Sequence, residues 1–203
     1  EAIAQLKSIL AQQDRLPADT KAEMLMRLAE LYFEQSKYEY NIEMQDYEKR
    51  YDRWFDLPEK KQAKEDEPKL IPGRSGTFTK KSIQNYQIIL KNYPNYPRVD
   101  EALFFLAFML NDVGQEKEAL EKYQQLVKTF TKSTFVPDSH NAIGEYYFNN
   151  NSAFKALQAY KRAQRFRNSK IYTFALYKMG WCYYNVGEYD TAIDTMKDLL
   201  TET

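Results

Sequence analysis

The chain has 203 residues, with 29 Lys plus Arg against 29 Asp plus Glu, and a formal net charge of zero. A neutral chain exerts no long-range pull on nucleic acid or anionic lipid. One cysteine excludes an internal disulfide and a cysteine-based zinc cluster, and one histidine leaves no metal-ligand spacing, so no metal or other cofactor is expected.

Ala2 to Gln12 is predicted as a helix, with Ile3, Leu6, Ile9 and Leu10 on one face. Pro17 opens the next helix, at a position where its missing N–H costs nothing. No Gly or Pro interrupts from Ala18 to Leu57, and Tyr40, Met44, Tyr47, Tyr51 and Trp54 follow one another at 4, 3, 4 and 3, an apolar stripe. The helix is therefore expected to run to about Phe55. Asp56 and Pro58 cap a short helix through about Glu65, and Asp66 to Gly76 is a loop rich in Pro and Gly. A helix is expected from Thr79 to Asn92. Three hairpins follow, with first helices near 98–112, 137–149 and 171–186 and second helices near 115–131, 152–167 and 188–201. Tyr93-Pro94, Tyr96-Pro97 and the linker before Pro137 separate them, because proline restricts the residue before it to extended backbone.

A period runs through these elements. Small residues in the first helices are Ala107, Gly144 and Gly180, at intervals of 37 and 36; those in the second helices are Ser82, Ala119, Ala156 and Ala192, at 37, 37 and 36. A large residue follows four later each time: Tyr86, Tyr123, Tyr160 and Met196. Small residues let two helix backbones approach, and bulky ones fill the space beside them. The interval from Ala29 to Ser82 is 53 where 12 is the rule (119 − 107), so about 41 residues are inserted between Glu34 and roughly Gly76.

These residues resemble the tetratricopeptide repeat family. The last repeat carries the pattern as Leu176, Met179, Gly180, Tyr183, Gly187, Tyr189, Ala192, Met196 and Leu199, and the repeats from Asp100 and Pro137 carry it in turn. The resemblance implies an all-α fold, a right-handed superhelical array of antiparallel helix hairpins with one repeat interrupted by a long helical insertion. The expected organisation is one array over 1–203. It comprises the second helix of a truncated repeat at 1–14, a repeat at 17–93 interrupted at 34–76, and regular repeats at 97–131, 136–168 and 170–201. The segments LKNYPNYPRVDEALFFLA and VPDSHNAIGEYYF, within Ile83 to Phe148, also resemble bacterial periplasmic repeat proteins of the outer-membrane-assembly and envelope-coordination type.

Two surfaces are candidates for binding. Tyr47, Tyr51 and Trp54 on the inserted helix form a docking arm or a homodimer contact, unless the stripe folds back on its own array. By the resemblance, the groove lined by first helices presents Phe104, Phe108, Asn111, Asn141, Glu145, Phe148, Phe174, Tyr177, Trp181 and Asn185. Aromatics mixed with amides suit a peptide or an amphipathic helix, unless these rings pack between repeats. The family's clamp for a peptide carboxylate needs Lys and Asn where Phe104 and Phe108 stand, which argues against chaperone-tail binding. Lys161, Arg162, Arg165, Arg167 and Lys170 form a basic cluster read as a solvated face. His140 and Cys182 are read as packed residues.

No Gly-rich phosphate loop, nucleophile elbow or Cys–His–Asp arrangement is present, so no enzyme is expected. The expected function is a non-catalytic scaffold that binds a protein or peptide, without nucleic acid or small-molecule substrate, in a bacterial envelope assembly. The rival is a cytoplasmic regulatory adaptor, partner to a small GTPase or to a motility or secretion regulator. The pattern at both ends reads as that of a fragment, with contact to a membrane expected only through a lipid anchor or a partner outside it. The expected location is the periplasm or outer membrane, with the cytoplasm as the alternative.

Overall fold

The structure, a computed structural model, describes residues 1–11, 16–62 and 64–202. Every regular element among them is a helix, and they fall into two compact units, Glu1–Tyr96 and Pro97–Thr203.

The first unit contains α1 (Ala2–Leu10), α2 (Ala18–Phe55), α3 (Glu59–Gln62) and α4 (Arg74–Asn92). Helix α1 ends at Leu10; Gln12, which the apolar pattern includes, lies outside the described residues, as do Gln13 and Asp14 of the expected truncated repeat and Ala63 of the expected short helix. Leu10 packs with Leu28 and Tyr32 of α2, joined by Ile3, Leu6 and Leu25. Helix α2 is one unbroken helix of 38 residues, ~57 Å at 1.5 Å per residue. Its packing partner is α4. The buried Ser82 hydroxyl donates to the carbonyl of Ala29 at 2.7 Å, across 53 residues of sequence. This places the small residue of α4 against the small residue of α2. Phe78 stacks on Tyr32 with ring centroids 6.0 Å apart, and the Tyr96 hydroxyl donates to Glu23, tying the Tyr-Pro segment to α2.

Helix α4 opens at Arg74, five residues before the Thr79 expected from apolar spacing, and Gly76 lies inside it. The reason is a cap supplied from another helix. The first N–H groups of a helix have no partner within it. Here the Glu43 carboxylate of α2 accepts from the N–H of Gly73 at 3.1 Å, from the N–H of Ser75 at 3.2 Å and from the Ser75 hydroxyl. Burial by itself raises the Glu43 carboxyl, but hydrogen bonds from Ser75, Gly73 and Arg74 outweigh it and hold the group below its ordinary value. The negative charge also suits the positive end of the helix dipole.

The second unit is three hairpins: α5 (Val99–Asp112) with α6 (Glu116–Thr129), α7 (Val136–Asn149) with α8 (Ala153–Ala163), and α9 (Tyr172–Asn185) with α10 (Tyr189–Glu202). Each helix packs on the next in chain order. The three hairpin turns are built alike. Gly114, Asn151 and Gly187 have φ of +79°, +55° and +83°, and they too recur at 37 and 36 residues. The following N–H reaches back five residues, from Gln115 to Leu110, Ser152 to Tyr147 and Glu188 to Tyr183, at 2.8, 2.8 and 3.0 Å. This is the Schellman closure, which satisfies carbonyls that the helix end leaves open. Asparagine tolerates the left-handed backbone well enough to replace glycine in one turn.

Helix α8 stops at Ala163, four residues before the expected 167. Arg165 N–H then bonds to Arg162 and Phe166 N–H to Ala163, a tight three-residue pattern that ends the regular helix. The core beneath consists of Leu103, Leu106, Ala107 and Leu110 of α5 with Tyr123 and Leu126 of α6, then Ala156, Tyr160, Met179 and Cys182 around the later hairpins.

Close approach leaves no room for a Cβ at Gly144 or Gly180, but the neighbours differ. A Cβ built at Gly144 lies 2.7 Å from Cδ1 of the fully buried Tyr160 ring; one at Gly180 meets only the flexible Met196 thioether, 3.0 Å from its sulfur. Gly144→Ala should therefore cost about 1–3 kcal/mol. For Gly180→Ala the helix-propensity gain of about 1 kcal/mol should roughly offset the crowding. Urea melts of the two variants side by side check this; equal losses refute the difference in packing.

Because the folded Glu43 carboxyl lies below its unfolded value, its contribution to stability is full above pH 4.5, the ordinary value, and is lost as pH falls through the folded one. Wild type should be more stable than Glu43→Gln at pH 7, with the gap closing toward pH 3. A gap that is independent of pH rules out the charged cap.

Candidate functional site

The arm comes first in the chain. Opposite the start of α4, α2 passes Glu43 and continues to Phe55. On this extension Tyr47, Tyr51 and Trp54 are half-buried and follow one another along the helix with tilted rings, centroids 5.9 Å apart for Tyr47–Tyr51 and 5.8 Å for Tyr51–Trp54. Phe55, two-thirds exposed, stacks on Tyr51 at 6.3 Å. The chain then folds back on the helix end. The Trp54 indole N–H donates to the carbonyl of Glu65 at 3.2 Å. The Gln62 amide donates to the carbonyls of Trp54 and Phe55 at 3.2 and 2.7 Å, capping α2. Trp54 is thus partly covered by its own chain, while Phe55 and Ile71 stay open.

The second surface is built from α5, α7 and α9. Phe104 of α5 is half-buried and packs within the unit. It stacks on Phe135 at 4.6 Å and meets the edge of Tyr123 at 5.8 Å. Phe108 and Asn111, further along α5, are exposed. On α7, Asn141 is half-buried and its side-chain oxygen is buried with no hydrogen-bond partner among the described residues. A buried acceptor left open costs free energy until a donor reaches it. One turn later, Glu145 accepts from the Tyr160 hydroxyl and pairs with the Lys178 ammonium of α9 at 3.0 Å. Lys178 is nearly enclosed, its charge 4.2 Å from the centroid of Phe148 and 5.8 Å from that of Phe174. The carboxylate and two ring faces replace the water it loses.

Along α9 the aromatics stay open. Phe174, Tyr177, Trp181 and Tyr184 are each two-fifths to more than half exposed, and Asn185 is exposed. Tyr177 meets Trp181 edge-on at 6.3 Å, and Trp181 meets Tyr184 at 5.9 Å. Beside them lies an open apolar hollow of about 530 Å³, lined by Gly180, Trp181, Tyr184, Ala192, Met196 and Leu200 among others. Sequence reasoning placed Tyr177, Trp181, Asn141 and Glu145 here but missed Lys178. Its signal was available: Lys178 is the sole charge in the largely apolar and aromatic α9, and such a charge needs a partner from another helix.

Cys182 and His140 are packed. Burial pushes the Cys182 thiol up to about 11, keeping it protonated and unreactive at neutral pH. His140 is half-buried; burial and then the charges of Arg162 and Arg165 push it down to about 4. Among the described residues no three His, Cys, Asp or Glu gather to hold a metal ion, and no helix is long and apolar enough to cross a membrane.

The paired helices with a small residue facing a large one define a helical-hairpin repeat protein. Residues 174–202 match the family described as tetratricopeptide repeat, and the all-helical hairpin fold is that of tetratricopeptide-repeat solenoids. The structure resembles that of MamA, at 26% identity and TM-score 0.53, over 64% of this chain and 71% of that one. It resembles the apo form of RapI at 14% identity and TM-score 0.63, over 98% of this chain and 47% of that one. A Rap protein complexed with competence and sporulation factor aligns at 16% identity and TM-score 0.53, over 98% and 48%. The chain spans about half the length of these Rap proteins. No curated protein matches it in sequence.

Replacing Lys178 by Met leaves Glu145 with the Tyr160 hydroxyl and no cation. The loss should be about 1–3 kcal/mol, discounted because Glu145 is one-third exposed. The added change Glu145→Gln should recover part of it. A double variant no more stable than Lys178→Met in chemical denaturation refutes the pairing energy.

Proposed function

We propose that this chain is a non-catalytic scaffold that binds an extended peptide of a partner protein on the α7–α9 side of its second unit. The observation that carries this is the run of exposed rings Tyr177, Trp181 and Tyr184 along α9. Rings supply contact area at low entropic cost. The Lys178–Glu145 pair ties α7 to α9. Likeness in fold to a Rap protein in complex with competence and sporulation factor supports the same use of a helical array. Phe108 and Asn111 extend the surface along α5.

A second reading is favoured by the ring stack ending in exposed Phe55: Tyr47, Tyr51 and Trp54 then serve a partner protein or a second copy of the chain. Residence in a bacterial cell-envelope assembly belongs to the same proposal, with a cytoplasmic adaptor as its rival. A signal peptide or lipobox in the full-length protein supports the first.

Selection from a random peptide library, followed by anisotropy titration, tests the groove. Trp181→Ala and Tyr177→Ala should each weaken selected peptides by about tenfold or more, while Tyr51→Ala leaves them unchanged. Equal binding by all variants refutes the groove; loss only with Tyr51→Ala moves the site to the arm.

A further inference from the structure

The chain is neutral, but its charge is not evenly spread. Residues 146–187 contain seven cations and no Asp or Glu, so the rest of the chain carries 22 cations against 29 acids, a net of −7. Five of the seven cluster within ten residues, at the end of α8 and in the segment joining it to α9: Lys161, Arg162, Arg165, Arg167 and Lys170. All five are exposed, and so is Phe166 in their midst. Among the described residues no carboxylate pairs with Arg162, Arg165 or Lys170. Lys161 lies over the Tyr183 ring at 5.3 Å and Arg167 over the Tyr172 ring at 5.8 Å.

Some of this charge has a local use. Lys161 and Arg162 sit in the last turn of α8, where cations suit the negative end of the helix dipole. That account does not extend to Arg165, Arg167 and Lys170, which lie beyond the helix. Like charges this close repel one another and keep that cost unless an anion covers them.

We propose that this basic turn is a second docking site, distinct from the α7–α9 surface, that takes an acidic segment of a partner protein with an apolar side chain set among its carboxylates. Three of the five cations are arginines, whose planar forks bind carboxylates with two hydrogen bonds each. Phe166 supplies the apolar contact between them. The neighbouring helices decide the width of the partner. Counting Asp and Glu against Lys and Arg, α8 carries three cations and no acid. Helix α6 is balanced, with Glu116, Glu118 and Glu121 against Lys117, Lys122 and Lys128. Helix α10 carries Asp190, Asp194, Asp198 and Glu202 against Lys197. Helix α9 packs on both α8 and α10, so the cationic turn stands one helix from an acidic one. A broad anionic surface, such as a bilayer or a nucleic-acid duplex, meets repulsion there; a narrow acidic segment does not.

The test uses a labelled oligoglutamate peptide with one central phenylalanine, titrated by anisotropy. Wild type should bind it, more weakly as salt rises. The triple variant Arg162→Gln, Arg165→Gln, Lys170→Gln should weaken binding by about tenfold or more. The control Lys117→Gln, Lys128→Gln, Lys132→Gln removes the same charge from exposed positions elsewhere in the unit and should change it little. At pH 7 the ring resonances of His140, the only histidine, should shift on peptide addition, because His140 lies in the field of Arg162 and Arg165. Absence of peptide binding overturns the proposal. So does an equal loss in both triple variants, which reduces the effect to net charge. Tighter binding of phosphatidylserine vesicles or duplex DNA than of the peptide overturns it as well. Peptides selected on the groove should bind the Arg162/Arg165/Lys170 variant unchanged, which keeps the two sites separable.

Discussion

The fold depends on one kind of contact, a residue without bulk on one helix facing a residue with bulk on the next. At Gly144 the ring of Tyr160 lies where a side chain would otherwise stand. At Gly180 the opposing atoms belong to a thioether that can move. At Ala29 the small partner is Ser82, whose hydroxyl uses the closeness to reach a backbone carbonyl. At the two glycines the approach of the backbones comes first, and the large residue is fitted to the space that remains. The turns follow from this. Once two helices lie so close, few chain geometries join them, and Gly114, Asn151 and Gly187 all adopt the same one.

Helices α2 and α4 pack together although a long stretch of chain separates their contacting residues. Loop closure costs only a little more as a loop lengthens, so the intervening residues do not by themselves keep α4 from α2. The Glu43 cap fixes where α4 begins, and the buried Ser82 bond fixes its register. The rings beyond Glu43 lean on one another, and the chain that follows covers the helix end through Gln62 and Trp54.

Much of the architecture was legible because it repeats. Spacings of 36 and 37 locate the hairpins, and the unbroken run from Ala18 predicts a single helix to Phe55. Features that depend on residues far apart in sequence were not legible. The start of α4 is set by a carboxylate some thirty residues earlier, whereas local signals such as Pro72 and Gly76 point to a loop. The Lys178–Glu145 pair joins two hairpins, and periodicity only marks each residue as facing one side. The packing of Phe104 depends on the path of the linker that carries Phe135. The early end of α8 at Ala163 follows from turn bonds that an apolar pattern cannot register.

The two tryptophans of the chain fall one to each unit, Trp54 where α3 folds back on α2 and Trp181 on the open face of α9. Their surroundings differ: one indole donates its N–H to a backbone carbonyl, and the other stands between two tyrosine edges, two-fifths open to water. The molecule therefore carries its own pair of optical probes. With either tryptophan replaced by phenylalanine, the emission that remains reports on one unit alone, and the unfolding of each can be followed by light without an added dye.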